Sequence, residues 1–85
     1  MSDAQWLNFV SLCEKNFEEC DFQDELIAAC LERDDIAKVV YFHNQRASLK
    51  WLKSKVPALD NCTPCKEIEK GNTTAVQNIL LSIPY

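Results

Sequence analysis

Apolar residues recur at helical spacing from the start of the chain. Trp6, Phe9, Val10, Cys13 and Phe17 fall at i, i+3, i+4, i+7 and i+11, the stripe of an amphipathic helix turned toward a core. Aromatic side chains at this spacing read as core, not as a docking face. Ser2, with Gln5 three residues later, has the order of a capping box at the helix start.

A second stripe follows in Phe22, Leu26, Ile27, Cys30 and Leu31, with Asp21 as its expected N-cap. Asp34-Asp35 interrupts it and opens a third helix carrying Ile36, Val39, Val40 and Phe42, the two acids complementing the helix dipole. Val39-Val40-Tyr41-Phe42 has strand propensity, but Ile36, Ala37 and Lys38 extend a helical pattern and no second strand is available to pair with it. Helix is the prediction. Asn44 is the next expected cap, for a helix with Ala47, Ser48, Trp51 and Leu52. That helix should end near Lys55, because Pro57 pushes Val56 out of helical geometry.

The last third, Trp51 to Tyr85, is punctuated most heavily, and the residues upstream read as its support. Asp60-Asn61 is a turn pair, and Asn tolerates the left-handed conformation. Thr63-Pro64 reads as N-cap and first-turn proline of a short helix to Lys70 with Ile68 inward, and Gly71 stops it. Asn72 should cap a final helix in which Val76, Ile79, Leu80 and Ile83 form one stripe. Pro84 prevents its extension and leaves Tyr85 beyond it. The expected fold is all-α, a single domain over residues 1–85 built as a small bundle of five to six short helices. Whether residues 1–35 pair two copies of the chain or only complete its core is left open by the pattern.

Composition narrows the function. Thirteen acids against nine bases give a net charge of −4. Phosphate contacts supply most nucleic-acid affinity, and the only basic run, Arg46, Lys50, Lys53 and Lys55, reads as a solvated helix face. No direct nucleic-acid binding is expected; an electropositive partner fits the charge better. No signal peptide or membrane-length apolar run is visible, so a cytoplasmic protein is expected. Five cysteines, an odd number, argue against a secreted disulfide framework, and Cys13, Cys20 and Cys30 read as small hydrophobes. One His and one Gly cannot furnish a nucleophilic triad or a phosphate-cradling loop, so neither catalysis nor a cofactor is expected. His43 reads as a helix-end cation or hydrogen-bonded surface group.

Cys62-Thr63-Pro64-Cys65 is a C-x-x-C pair at a predicted helix start, where the dipole lowers a thiol pKa. Thioredoxin-like sites follow a strand, and none is predicted. Zinc needs two further ligands, which His43 with Cys13, Cys20 or Cys30 could supply only through long-range folding. A thiol redox or zinc role is therefore the lesser reading, and no metal is assigned.

Trp51-Leu52, Pro57-Ala58-Leu59, Thr63-Pro64, Gly71, Val76 and Leu80-Leu81 together resemble the toxin-binding domain of the Xre/MbcA/ParS antitoxins. The likeness covers the chain from Ile36 onward, and Phe42, Asn44 and Ala47 fall where the family has a phenylalanine, a helix cap and a small residue. Asp60-Asn61 stands where the family has turn glycines. About 35 residues precede the matching segment, too few for the Xre-like helix-turn-helix domain of full-length members. The resemblance implies a non-enzymatic antitoxin-like protein whose partner is a RES-domain toxin, a class that consumes NAD or transfers ADP-ribose from it. It further implies that the C-terminal end blocks the toxin's active site, which here makes Ile83, Pro84 and Tyr85, with Leu80 and Gln77, the partner-binding residues. Trp51, Pro57, Leu59, Thr63, Pro64 and Gly71 would be the structural motif. The competing reading is a non-enzymatic adaptor that uses the same domain for assembly.

Overall fold

The structure, a computed structural model, describes residues 3–82. Six α-helices follow in order: α1 (Asp3–Phe17), α2 (Gln23–Ala29), α3 (Asp34–Asn44), α4 (Ser48–Leu52), α5 (Pro64–Glu69) and α6 (Thr73–Ser82). One-turn 3₁₀ segments at Gln45–Ala47 and Pro57–Leu59 flank α4 and the following loop. Among the described residues there is no strand, only an isolated antiparallel bridge between Val56 and Cys62. The molecule is the small all-α bundle that the periodicity predicts.

The centre is α3, which packs against α1, α2, α4 and α6. Ile36, Ala37, Val39, Val40 and Tyr41 are all buried along it, so its apolar surface spreads well beyond one stripe, as a core helix requires. Val39 and Val40 stay helical despite their local strand preference, because full burial of each outweighs a propensity difference of a few tenths of a kcal/mol. A fully buried aliphatic side chain contributes roughly 1.5–3 kcal/mol. The α1 stripe faces this helix as expected: Trp6, Phe9, Val10, Cys13 and Phe17 are all buried. Phe9 meets Phe42 edge-on at 5.8 Å between ring centres, and Phe17 and Phe22 meet Tyr41 at 6.1 and 5.7 Å.

Several boundaries differ from the sequence expectation, each for a tertiary reason. Asp21 does not cap α2; Phe22 occupies that position without a side-chain bond. The turn is held instead by Gln23, whose Nε2 donates to the Phe17 carbonyl at 2.8 Å and satisfies the end of α1. Leu31, expected on the apolar stripe, is 49% exposed because the backbone turns left-handed there. Asn44 is the last residue of α3, not a cap opening α4, and its Nδ2 donates back to the Val40 carbonyl. The fourth helix ends at Leu52, three residues before Lys55. The expected cap Ser2 lies outside the described residues.

The last third follows its punctuation closely. Val56 is extended (φ −110°, ψ 119°) ahead of Pro57. Asp60 and Asn61 are both left-handed (φ 56° and 63°). Thr63 Oγ1 accepts from the Lys66 N–H at 3.2 Å, with Pro64 at the first helical position. At the far end, Gly71 (φ 88°) donates its N–H to Ile68 O and Asn72 donates its N–H to Glu67 O. This pair of bonds is the Schellman motif. Val76 and Leu80 are fully buried on α6; Ile83, the last expected member of that stripe, lies outside the described residues.

Candidate functional site

The end of α6 carries the residues that the sequence nominates, and its anchoring can be followed atom by atom. Val76 and Leu80 bury their side chains against the core. The Leu80 carbonyl, one of the four that a helix end leaves without an internal partner, accepts from His43 Nε2 at 2.9 Å. A carbonyl can only accept, so His43 carries a proton on Nε2. Burial pulls the His43 pKa below its ordinary value, with the Leu80 bond working in the opposite direction. The ring also lies edge-on to Phe9 and Phe42, at 5.6 and 5.4 Å between centres. His43 is thus hydrogen-bonded at a helix end, as expected, but half-buried as a strut from α3 to α6. Its partner is 37 residues away, and no local signal could have revealed it.

This anchoring corrects two nominated partner-binding residues. Leu80 is fully buried and Gln77 is 8% exposed, so both face the protein's own core. The exposed positions of α6 are Thr74, Asn78 and Ser82. Ile83, Pro84 and Tyr85 lie outside the described residues.

The nominated structural motif is brought together by α4, α5, α6 and the intervening loop. Trp51 is half-buried against the core and Leu59 is buried, while Pro57 starts its 3₁₀ turn from the surface. Pro64 is buried, and Thr63 and Gly71 bound α5. The sequence reading missed the residue that ties the two ends of this helix together. Glu67 is 8% exposed, and its Oε2 accepts from Asn72 Nδ2 at 2.8 Å. The Asn72 amide, then the Cys62 thiol, hold the Glu67 carboxyl below its ordinary range against the opposing effect of burial.

The two thiols of the C-x-x-C pair point to different partners. Cys62 lies by Glu67 and helps to lower its carboxyl, whereas Cys65 Sγ donates to the Ala29 carbonyl at 3.5 Å. Both are free thiols. Burial raises Cys30 to about 12 and Cys13 to about 11, so these two behave as the small hydrophobes expected. Among the described residues no three His, Cys, Asp or Glu side chains group to hold a metal ion.

A second carboxylate, this one with a long-range partner, was read from sequence only as part of a helix start. Asp35 Oδ2 accepts from Trp6 Nε1 at 2.9 Å, and both its oxygens accept from the Arg33 guanidinium. Burial alone would raise the Asp35 pKa; the bonds from Arg33 and Trp6 overcome that and lower it. The pair ties the start of α1 to the start of α3.

Two of the surface concavities differ in how they are built. The larger, about 530 Å³, is lined by the consecutive residues Cys20 to Glu25; it is the hollow of a single turn, with no second element closing it. The other, about 220 Å³, runs between α1 and the end of α6 and is lined by Gln5, Asn8, Phe9, Leu12 and Leu81. Leu12, at its edge, is 70% exposed. No helix among the described residues is long and apolar enough to cross a membrane. No protein-family model, curated protein or solved structure matches the chain.

Proposed function

We propose that the protein is an antitoxin-like binding module that neutralises a RES-domain enzyme, an NAD-consuming or ADP-ribosylating toxin. It does so by occluding the active site with the segment Ile83-Pro84-Tyr85. The observation that carries this reading is the firm seating of α6 immediately before that segment. Leu80 is fully buried and its carbonyl is held by His43, so the helix end that precedes the segment is fixed to the core. An aromatic ring beyond a proline suits a cleft built for a nicotinamide nucleotide, and the net charge of −4 favours encounter with an electropositive one.

The test is a truncation after Ser82, assayed against a purified RES-domain enzyme from the source genome with NAD consumption as the readout. Inhibition should weaken at least about tenfold, a loss ordinary for a central anchor residue, while the helical circular-dichroism signal is retained. Unchanged inhibition refutes the plug. A non-enzymatic adaptor is the second reading, favoured by Leu7 and Leu12, which stand 58% and 70% exposed on α1. A stable complex with a non-enzymatic assembly, and none with the RES enzyme, selects it.

A further inference from the structure

We infer that Cys65 and Cys30 form a peroxide-sensitive dithiol, which closes to a disulfide between the first turn of α5 and the end of α2. The sequence pairs Cys65 with Cys62, but the fold separates those two. Thr63 takes the N-cap of α5, so Cys62 lies before the helix, with its backbone in the bridge to Val56 and its side chain beside Glu67. Cys65 is the second residue of the helix, and its Sγ donates to the Ala29 carbonyl at 3.5 Å, 36 positions back along the chain. Cys30 follows Ala29 directly and is the C-cap of α2. A carbonyl oxygen lies about 3 Å from the Cα of the next residue, so Cys65 Sγ is within roughly 6.5 Å of Cys30 Cα. A disulfide joins Cα atoms about 4.4–6.8 Å apart, and α5, with six residues, is short enough to shift as the bond forms. The two thiols already sense each other: after burial, Cys65 is the next influence that raises the Cys30 pKa.

The two sulfurs divide the reaction between them. Cys65 is half-buried and within reach of a small oxidant, whereas Cys30 is fully buried and its thiol is pushed up to about 12. Cys65 is therefore oxidised first. Its sulfur attacks one oxygen of hydrogen peroxide and the O–O bond breaks, leaving Cys65 as the sulfenic acid and releasing one water. The Cys30 sulfur then displaces the hydroxyl group from the Cys65 sulfur. The S–S bond forms, and the hydroxide leaves with the Cys30 proton as a second water. Together the thiols give up two electrons and two protons, and the peroxide is reduced to water. The new bond ties the left-handed turn at Leu31 and Glu32 to the start of α5.

The test treats the reduced full chain with hydrogen peroxide, blocks the remaining thiols and digests the unreduced protein with trypsin. Cys20 and Cys30 fall in peptide 16–33, and Cys62 and Cys65 in peptide 56–66. Mass spectrometry should find these two peptides joined within one copy of the chain, with reactive thiols falling from five to three. Cys62→Ser and Cys20→Ala should each keep the cross-link, and Cys65→Ser should abolish it. A bond inside peptide 56–66, joining Cys62 to Cys65, overturns the pairing. Loss of fewer than two thiols overturns it as well, as does a cross-link found only between two copies. A cross-link that survives Cys65→Ser, or that disappears in Cys20→Ala or Cys62→Ser, assigns the bond to other cysteines and removes the Cys30–Cys65 pair.

Discussion

Two helices in this protein end in the same hydrogen-bond pattern with opposite local chemistry. At the end of α5, Gly71 takes the left-handed position and the bonds run from Gly71 N–H to Ile68 O and from Asn72 N–H to Glu67 O. At the end of α2, Leu31 (φ 55°) takes that position, with bonds from Leu31 N–H to Ala28 O and from Glu32 N–H to Ile27 O. Glu32 is left-handed as well (φ 67°). A side chain in this conformation costs about 1–2 kcal/mol that glycine avoids. The α5 end follows from its own residues. The α2 end is imposed, because Leu26 and Cys30 must be buried while the chain turns back to start α3.

The difference is sharpest in the core. Helix α2 has seven residues and no side-chain N-cap, too short to persist alone, so its fully buried Leu26 should carry it. Leu26→Ala is expected to destabilise the fold by about 2–5 kcal/mol, measured as a fall in urea midpoint. A cost below about 1 kcal/mol would mean that α2 is held by its turns instead, and the comparison would collapse.

The two turn positions provide a reciprocal pair of smaller effects. A Cβ added at Gly71 meets nothing within 4 Å, so Gly71→Ala isolates the conformational cost, about 1 kcal/mol of destabilisation. Leu31→Gly relieves strain and should stabilise by about 0.5–1 kcal/mol, after allowing for the freedom glycine gives the unfolded chain. Destabilisation by Leu31→Gly in chemical melts would show that the exposed leucine contributes packing the geometry does not reveal.

The smallest expected effect is the response to acid. His43 titrates lower in the folded protein than in the unfolded chain, so its contribution is complete above about 6.5. It is lost as pH falls through the lowered folded value, because the unfolded chain takes up the proton first. Asp35 is lowered too and adds a loss in the same direction below about 3.9. Urea midpoints should therefore fall from pH 7.5 to 5.5, and a His43→Gln variant should flatten that slope. An unchanged slope in the variant would remove His43 from the acid response.

Much of the fold could be read directly. The α1 stripe from Trp6 to Phe17, the extended Val56 before Pro57, the Thr63-Pro64 helix start and the Gly71 stop all stand where local rules put them. Less of the candidate site was legible. The sequence nominates Leu80 and Gln77 for a partner, but they are buried in the protein's own core, since a stripe at helical spacing does not say which surface it meets. His43, Glu67 and Asp35 acquire their roles from partners on other elements or across a turn, and the groove of Asn8, Leu12 and Leu81 joins residues at opposite ends of the chain.

Periodicity, caps and turn residues act over a few positions, so by itself the sequence determined that this chain is helical and where its last third bends. Tertiary structure alone decided that α3 is the centre, that Leu31 is exposed in a left-handed turn, and that a neutral groove opens beside the root of the C-terminal segment. The reason is range: burial and long-distance hydrogen bonds are properties of elements already packed together, and they override local preference wherever the core gains more than the backbone loses.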